Sequence, residues 1–274
     1  MLIHIRTSLA IGVAILPAVS MATTWSLTDT FVGTGFLSAF SHQAIADPTH
    51  GRVNYLSQSD ALAKNITFAS EDSFIMRADS TTVLDPAGPG RDSVRIQSNS
   101  QFTSHVLIMD IRHMPEGCAT WPAAWELGDD WPNNGEVDII EGVNSSPPNQ
   151  ATLHTTAGCS IPASTDQTGK TVTTDCDVAV ANNAGCGVQA DTASSFASGF
   201  NSVGGGWYAM ERTDDSINVW FWSRSDGSVP NDVKNAPITI DTSTWGTPFA
   251  NFPDTDCDFS SHFGPHNIVV DLTF

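Results

Sequence analysis

Three carboxylates stand within six residues of a stretch that otherwise has the composition of a buried strand. The stretch reads Glu-Val-Asp-Ile-Ile-Glu and holds Glu136, Asp138 and Glu141. Side chains alternate faces along a strand, so Glu136 and Asp138 share one face, whereas Glu141 comes one residue late. A β-bulge after Asp138 would return Glu141 to that face. We therefore predict three acids in a row on one face of a bulged strand, with Val137 and an isoleucine behind them in the core.

Such a row of acids suits glycoside hydrolysis. Retaining glycosidases place two carboxyl groups about 5–5.5 Å apart, one as nucleophile and one as acid/base. A third carboxylate between them raises the pKa of the acid by like-charge repulsion and can hold a proton for the nucleophile. A divalent-cation site and a solvated acidic face are the alternatives. A hard cation needs more oxygen ligands than one strand offers, and a solvated face does not need the tryptophans found nearby.

The residues around this stretch carry a family pattern. Its flanks read Arg112-His113-Met114-Pro115, Gly117-Cys118, Trp121-Pro122-Ala123-Ala124-Trp125, Trp131-Pro132-Asn133 and Thr152-Leu153-His154-Thr155. With the acidic stretch, they resemble the secreted fungal laminarinases of glycoside hydrolase family 16, which are endo-1,3(4)-β-glucanases. The resemblance extends from about Trp25 to the last residue.

The resemblance implies a fold and a mechanism. The fold is all-β, a β-jelly-roll sandwich of two antiparallel sheets with a concave substrate cleft. The implied activity is retaining endo-hydrolysis of β-1,3 and mixed β-1,3/1,4 glucans such as laminarin. Glu136 is then the nucleophile, Glu141 the acid/base, and Asp138 a carboxylate that tunes both. This chemistry needs no metal and no organic cofactor.

Three tryptophans precede the acidic stretch, and their indole rings suit the flat C–H faces of sugar rings. Trp121 comes before a proline and is also compatible with the core. Trp125 and Trp131 flank the polar segment 126–130, which we interpret as a loop, where core packing is less natural. The resemblance implies that Trp125 and Trp131 flank the sugar subsites on the non-reducing side of the cleavage point, and we count Trp121 as a further candidate contact.

Three polar residues complete the candidate substrate site. His154 follows the acidic stretch, and a lone strand histidine usually serves only local hydrogen bonds. The resemblance instead places His154 beside the acid/base, Glu141. Arg95 and Asn54 match family positions that contact bound glucan, although on their own they read as ordinary polar strand residues.

The rest of the chain reads as strands separated by turns, without helical periodicity. We predict strands at 74–77, 93–98, 105–114, 136–143, 151–155, 206–212, 217–223 and 268–274. Segment 156–200 is rich in small polar residues and holds three cysteines, so we interpret it as a long surface loop tied by disulfides. Trp207, Trp220 and Trp222 are ambiguous, and at least two residues of 219–222 are expected in the core.

Composition limits the partners and the compartment. A net charge of −19 without a basic patch argues against nucleic acid and anionic membrane as partners. Segment 1–22 has the charge, apolar run and small residues of a signal peptide. We therefore expect an exported, soluble monomer that acts on β-glucan, with a catalytic domain at 23–274. Asn65 and Asn144 begin glycosylation sequons, and the second lies close to the cleft.

Five cysteines leave one without a partner inside the chain. The resemblance suggests a reason, because related chains continue past the point where this one stops and contain further cysteines. We therefore expect a form truncated at the C-terminus, and a free thiol with a function of its own is the alternative.

Two other functions remain open at this stage. A glucan transglycosylase would use the same carboxylates and differ in its acceptor subsites. A non-catalytic carbohydrate-binding jelly roll would share the fold, but it has no need for both Glu136 and Glu141.

Overall fold

The structure of this protein is a computed structural model, and it describes residues 23–274. The expected signal peptide at 1–22 lies outside the described residues. The strands are β1 (Thr24–Ser26), β2 (Phe40–His42), β3 (Val53–Tyr55), β4 (Thr67–Ala69), β5 (Phe74–Met76), β6 (Arg91–Ser93), β7 (Arg95–Ser98), β8 (His105–Ile111), β9 (Trp121–Gly128), β10 (Glu136–Glu141), β11 (Gln150–His154), β12 (Lys170–Thr171), β13 (Cys186–Gln189), β14 (Gly206–Arg212), β15 (Ser216–Ser223), β16 (Thr239–Asp241), β17 (Ala250–Pro253) and β18 (His266–Thr273).

Short helices connect the strands. The α-helices are α1 (Phe36–Ala39), α2 (Gln58–Ala63), α3 (Ala197–Ser202), α4 (Asn231–Asn235) and α5 (Phe259–His262). Turns of 3-10 helix lie at Gly33–Gly35, Ala193–Ser195, Thr242–Thr244 and Asp254–Asp256. None of these α-helices exceeds six residues, which is too short to produce a helical period in the sequence.

Two antiparallel sheets form a sandwich. The large sheet has the strand order β12-β13-β11-β10-β9-β18-β7-β2, and the small sheet has the order β17-β15-β14-β8. The main core lies between them: Val137 and Ile139 of β10 pack in one cluster with Tyr208 and Met210 of β14. The inner residues of β10 therefore fill the core, as the sequence predicted, and its other face is left for polar side chains.

Strand β9 corrects the interpretation of segment 126–130 as a loop. Trp121–Gly128 is an eight-residue strand that pairs with β10 on one side and β18 on the other. Trp125 therefore lies on a central strand, whereas Trp131 lies in the β9–β10 connection. Pro122 and the charge of Glu126 concealed the alternation, because both residue types are unusual in an inner strand.

Segment 156–200 is also more ordered than a surface loop. It contains β12, β13 and α3, and both strands extend the large sheet beyond β11. Two disulfides tie it, Cys159–Cys257 and Cys176–Cys186, while Cys118 is exposed and free. The expectation that one cysteine lacks a partner within the chain is confirmed for the described residues.

The far side of the small sheet carries its own aromatic cluster. Trp207, Trp220 and Trp222 are each less than 9% exposed and pack with Trp245 and Val233. These tryptophans are therefore core residues. Within residues 23–274, no helix is long and apolar enough to cross a bilayer.

Candidate active site

Strand β10 places the three acids on one face, here called the acidic face of the large sheet. Pairing between β10 and β11 is regular from Glu136 to Asp138 and resumes at Glu141 after a register shift. Pairing with β9 shifts in the same place, between Asp138 and Ile140. The predicted bulge is therefore confirmed. Ile139 and Ile140 are both buried, and Glu141 returns to the half-exposed side.

Each acid has cross-strand neighbours on the adjacent strands, and these neighbours form rows of side chains across the sheet. Glu136 lies opposite His154 and Leu127, and Asp138 lies opposite Thr152 and Trp125. The row through Glu141 runs across Ala123 and Asp271 to Arg95. These registers bring Trp125, His154 and Arg95 to the same face of the sheet as the acids.

Gly135 fixes the start of β10. Its φ is +76°, a left-handed conformation that favours glycine. A Cβ at this position would lie 2.5 Å from Cδ1 of Phe263, the residue that follows α5. The turn into Glu136 can therefore sit this close to α5 only because residue 135 has no side chain.

Burial controls the protonation of Glu136 and Asp138. It raises the pKa of Glu136 well above its usual range, and the charge of Asp138 adds to the effect. Burial also raises the pKa of Asp138, and the charge of Glu141 acts in the same direction. Glu136 and Asp138 therefore do not both ionise readily, so this pair retains a proton more readily than free carboxyls would.

Two indole groups hold the outer acids. Nε1 of Trp121 donates to Oε1 of Glu141 at 2.8 Å, and Nε1 of Trp131 donates to Oε2 of Glu136 at 2.5 Å. The hydrogen bond from Trp131 lowers the pKa of Glu136 and so opposes the effect of burial. Trp131 is 43% exposed, which leaves much of its ring open to solvent beside Glu136.

His154 lies elsewhere than expected from the family resemblance. It stands opposite Glu136, and its Nε2 is 3.3 Å from Oδ2 of Asp138. The residue opposite Glu141 is Gln150 instead. Because β11 pairs directly with β10 in antiparallel register, the end of β11 meets the start of β10. The expectation that His154 lies beside Glu141 is therefore wrong.

Arg95 and Trp125 form one unit on the acidic face. The guanidinium lies 4.9 Å from the centre of the Trp125 ring and pairs with Asp271 at 2.6 Å. Nε of Arg95 also donates to Gln43 at 2.7 Å. Burial raises the pKa of Asp271 to about 6, although the charge of Arg95 opposes the effect. Arg95 is itself buried, so it packs against the Trp125 ring from within the protein and offers few donors to solvent.

Asn54 is not joined to this group by any described contact. It lies on β3, which pairs in parallel with β6 outside the large sheet. Its Nδ2 donates to Oδ1 of Asp92 at 2.6 Å, and its side chain is exposed. Of the predicted site residues, Asn54 is the one that the structure leaves apart from the acids.

One group of side chains has donors of the kind that bind metals. Glu136, Asp138 and His154 each bring a ligand atom to within 4.8 Å of the others. Structural zinc sites take four protein ligands and calcium takes six to eight oxygens, and no fourth His, Cys, Asp or Glu of residues 23–274 joins this group. Oε2 of Glu136 also already accepts from Trp131. The set fits proton chemistry better than metal binding.

The structure adds residues that sequence reasoning missed. Asp271 and Thr152 lie in the rows through the acids, and Asn183 contacts His154. An aspartate inside the apolar run Ile-Val-Val-Asp-Leu was a usable signal for Asp271. Asn183 had no such signal, because it belongs to a turn far from β11 in the sequence.

Residues 40–274 match the family model described as the XgeA-like, catalytic GH16 domain. The chain belongs to glycoside hydrolase family 16. A solved laminarinase 16A from Phanerochaete chrysosporium, with β-glucans in its donor and acceptor sites, is 59% identical with a TM-score of 0.91; the match covers 92% of this chain and 85% of that one. The sandwich described above is accordingly the β-jelly roll of this family.

Two further relatives show how this family varies. A solved elongating β-1,3-glucosyltransferase of family 16 is 41% identical with a TM-score of 0.84, over 92% of this chain and 83% of that one. A protein of Neosartorya fischeri named as a probable endo-1,3(4)-beta-glucanase is 40% identical over 253 residues, 92% of this chain. This chain spans 38% of that relative's length and 59% of another curated relative's length.

Proposed function

We propose that this protein is an endo-acting glucanase that hydrolyses β-1,3 and mixed β-1,3/1,4 glucans such as laminarin with retention of configuration. The observation that carries the proposal is the bulged strand β10. It presents Glu136, Asp138 and Glu141 on one face, and separate indole groups hold the two outer acids. The named glucanase relative and the laminarinase solved with β-glucans support this choice of substrate.

In this proposal the two glutamates divide the chemistry. Glu136 attacks the anomeric carbon and forms a glycosyl-enzyme, while Glu141 donates its proton to the leaving oxygen. Glu141 then takes a proton from the water that releases the sugar. The order of the two roles follows the family resemblance. Asp138 lies between them in the sequence, and its charge makes Glu136 harder to ionise.

Aromatic and polar side chains near the acids are proposed to bind the glucan. The exposed ring of Trp131 beside Glu136 offers a flat apolar surface, and Trp125 with Arg95 offers a second one. Trp121 and His154 line the site through their contacts with Glu141 and Asp138. Asn54 is assigned to an outer part of the site, on the family resemblance alone.

We further infer an exported monomer whose catalytic domain begins near residue 23. Two disulfides within the described residues suit an oxidising compartment, and fungal glucanases are among its relatives. The proposed partner is a neutral β-glucan, which agrees with the net charge of −19.

One observation favours a second candidate activity. The elongating glucosyltransferase, at 41% identity, has the same fold, and chain elongation uses the same covalent intermediate with a sugar in place of water. The laminarinase is more similar, at 59% identity, so we place hydrolysis first.

The test is product analysis with laminarin. Hydrolysis inside the chain predicts shorter oligosaccharides and one new reducing end for each cleavage. Longer products with a constant number of reducing ends would instead indicate transglycosylation, and retention on glucan without products would indicate a binding protein. Glu136→Gln and Glu141→Gln should each lower turnover by about 100-fold or more. Glu71→Gln makes the same chemical change at an exposed site off the sheets and should have no effect.

A further inference from the structure

A short loop between two bonded cysteines packs against His154. The Cys176–Cys186 disulfide closes it, and Thr155, next to His154, donates its N–H to the carbonyl of Cys176 at 2.8 Å. Gly185 lies at the end of the loop with φ +62°, and a Cβ there would be 2.8 Å from Cε1 of His154. The loop can approach the imidazole this closely only because residue 185 is glycine.

The tip of this loop has an unusual backbone. Ala181, Asn182 and Asn183 have φ of +49°, +56° and +62°, three left-handed residues in succession. Asparagine tolerates this region better than alanine does, and such a run persists only where its surroundings hold it. This backbone turns the side chain of Asn183 toward the large sheet, where its Oδ1 lies 2.9 Å from Nδ1 of His154.

This contact determines which nitrogen of His154 carries a hydrogen. Oδ1 of Asn183 can only accept, so Nδ1 must donate. In the neutral ring, Nε2 then presents a lone pair toward Oδ2 of Asp138, 3.3 Å away. That oxygen is buried and has no other hydrogen-bond partner among the described residues. Both atoms gain a hydrogen-bond partner when Oδ2 of Asp138 carries a proton and donates it to Nε2 of His154.

We propose that Asn183 is a positioning residue for the catalytic carboxylates, acting through His154 to keep a proton on Asp138. The proposal rests on the proposed function for its kinetic consequence only. A neutral Asp138 removes one negative charge from between Glu136 and Glu141, so Glu136 ionises more easily.

Other groups around Asp138 act on its pKa in both directions. The charges of Glu141 on its own strand and of Asp271 on β18 oppose its ionisation, whereas hydrogen bonding with Glu136 favours it. His154 on β11 is the remaining titratable neighbour. Arg95 on β7 is paired with Asp271. Without Asn183, the imidazole can move its hydrogen to Nε2, donate to an ionised Asp138 and so make Glu136 harder to ionise.

The direct test reads the tautomer of His154 by two-bond proton–nitrogen NMR on labelled protein. Asn183→Gly removes the acceptor without a backbone penalty, because glycine accepts positive φ. Asn182→Gly makes the same change one residue earlier, at a side chain with no hydrogen bond to His154 within residues 23–274, and serves as the control. We expect Nδ1–H in the parent and in Asn182→Gly, and Nε2–H in Asn183→Gly. Asn183→Asp, which keeps an acceptor oxygen, should restore Nδ1–H.

The kinetic test is the pH profile on laminarin. In Asn183→Gly the acidic limb should move up by about one pH unit, a tenfold loss at low pH, with KM nearly unchanged. Unchanged tautomer and pH profile in Asn183→Gly relative to Asn182→Gly would overturn the proposal. Absence of turnover in the parent would instead remove the proposed function, and the NMR result would still decide the role of Asn183.

Discussion

Glu136 experiences two opposing influences on its pKa. Burial and the charge of Asp138 make it harder to ionise, while the indole N–H of Trp131 favours its ionised form. In the proposed mechanism Glu136 has to be ionised to attack, so the balance between these influences would set the lower pH limit of activity.

Removal of the indole donor should therefore move that limit. In Trp131→Phe the pKa of Glu136 rises, and we expect the acidic limb of kcat/KM to move up by roughly one pH unit. Trp25→Phe is the matched control, because Trp25 donates its own indole N–H to Glu211 at 2.8 Å on another part of the molecule. An acidic limb that stays in place in Trp131→Phe would show that this hydrogen bond does not control the nucleophile.

The raised pKa of Asp138 predicts that the stability of the folded chain depends on pH. In the folded chain its pKa is raised, so it keeps a proton over a pH range in which the unfolded chain has lost that proton. Stability from this group is therefore full below the unfolded pKa and falls as pH rises toward the folded pKa. Asp138→Asn cannot ionise, so its melting temperature should exceed that of the parent increasingly from pH 4 to pH 8.

The measurement is thermal unfolding at several pH values. A gain of ~1 kcal/mol would appear as about 2–4 °C in a domain of this size. A constant difference in melting temperature across the pH range would contradict the raised pKa.

At the scale of elements, the position of strand β10 depends on the close contact between Gly135 and Phe263, the residue that follows α5. Gly135 and Gly246 have nearly the same φ, +76° and +78°, but a Cβ at 135 meets Phe263 whereas a Cβ at 246 meets nothing within 4 Å. The pair therefore separates backbone strain from crowding.

Gly246→Ala should cost about 1–2 kcal/mol of unfolding free energy, because it introduces a left-handed alanine. Gly135→Ala should cost about 3 kcal/mol or more, because the added Cβ also displaces Phe263. Chemical denaturation measures both. Equal losses would mean that the start of β10 adjusts freely and that its contact with α5 does not position Glu136.

The elements also show how far the sequence could predict this site. The face and bulge of β10 followed from alternation alone, since Val137 and the isoleucines need the core. The partner of His154 did not follow, because register depends on the connection between β10 and β11. Strand β9 escaped prediction because Glu126 is fully buried, where His105 lies 2.9 Å away as a partner from another sheet. No local sequence pattern indicates that His105 and Glu126 will pair.

At the scale of the whole molecule, the two disulfides close loops of very different length. Cys159–Cys257 spans 98 residues and Cys176–Cys186 spans 10. Loop-closure entropy predicts upper values of ~4.7 and ~2.7 kcal/mol for their contributions to stability. The double serine variant at 159 and 257 should therefore unfold at lower denaturant concentration than the one at 176 and 186. The reverse order would show that the short loop contributes through native contacts.

The jelly roll itself was accessible from the sequence through the motifs around β10, but its central arrangement was not. Strand β18 pairs with β9 and β7 and so lies inside the large sheet. The apolar run at 268–274 indicated a strand, yet nothing in a run of β-branched residues tells which neighbours it will have. Long-range pairing therefore placed Asp271 beside Arg95, where the sequence had shown only two separate polar residues.

The most direct test of the central claim is the anomeric configuration of the first product. Proton NMR of laminarin during the first minutes of reaction observes the new reducing end before the anomers equilibrate. If Glu136 forms a glycosyl-enzyme that Glu141 helps water to release, the β-anomer appears first and the α-anomer follows by mutarotation. An α-anomer that appears first would contradict the account, because it would require direct attack by water in place of Glu136.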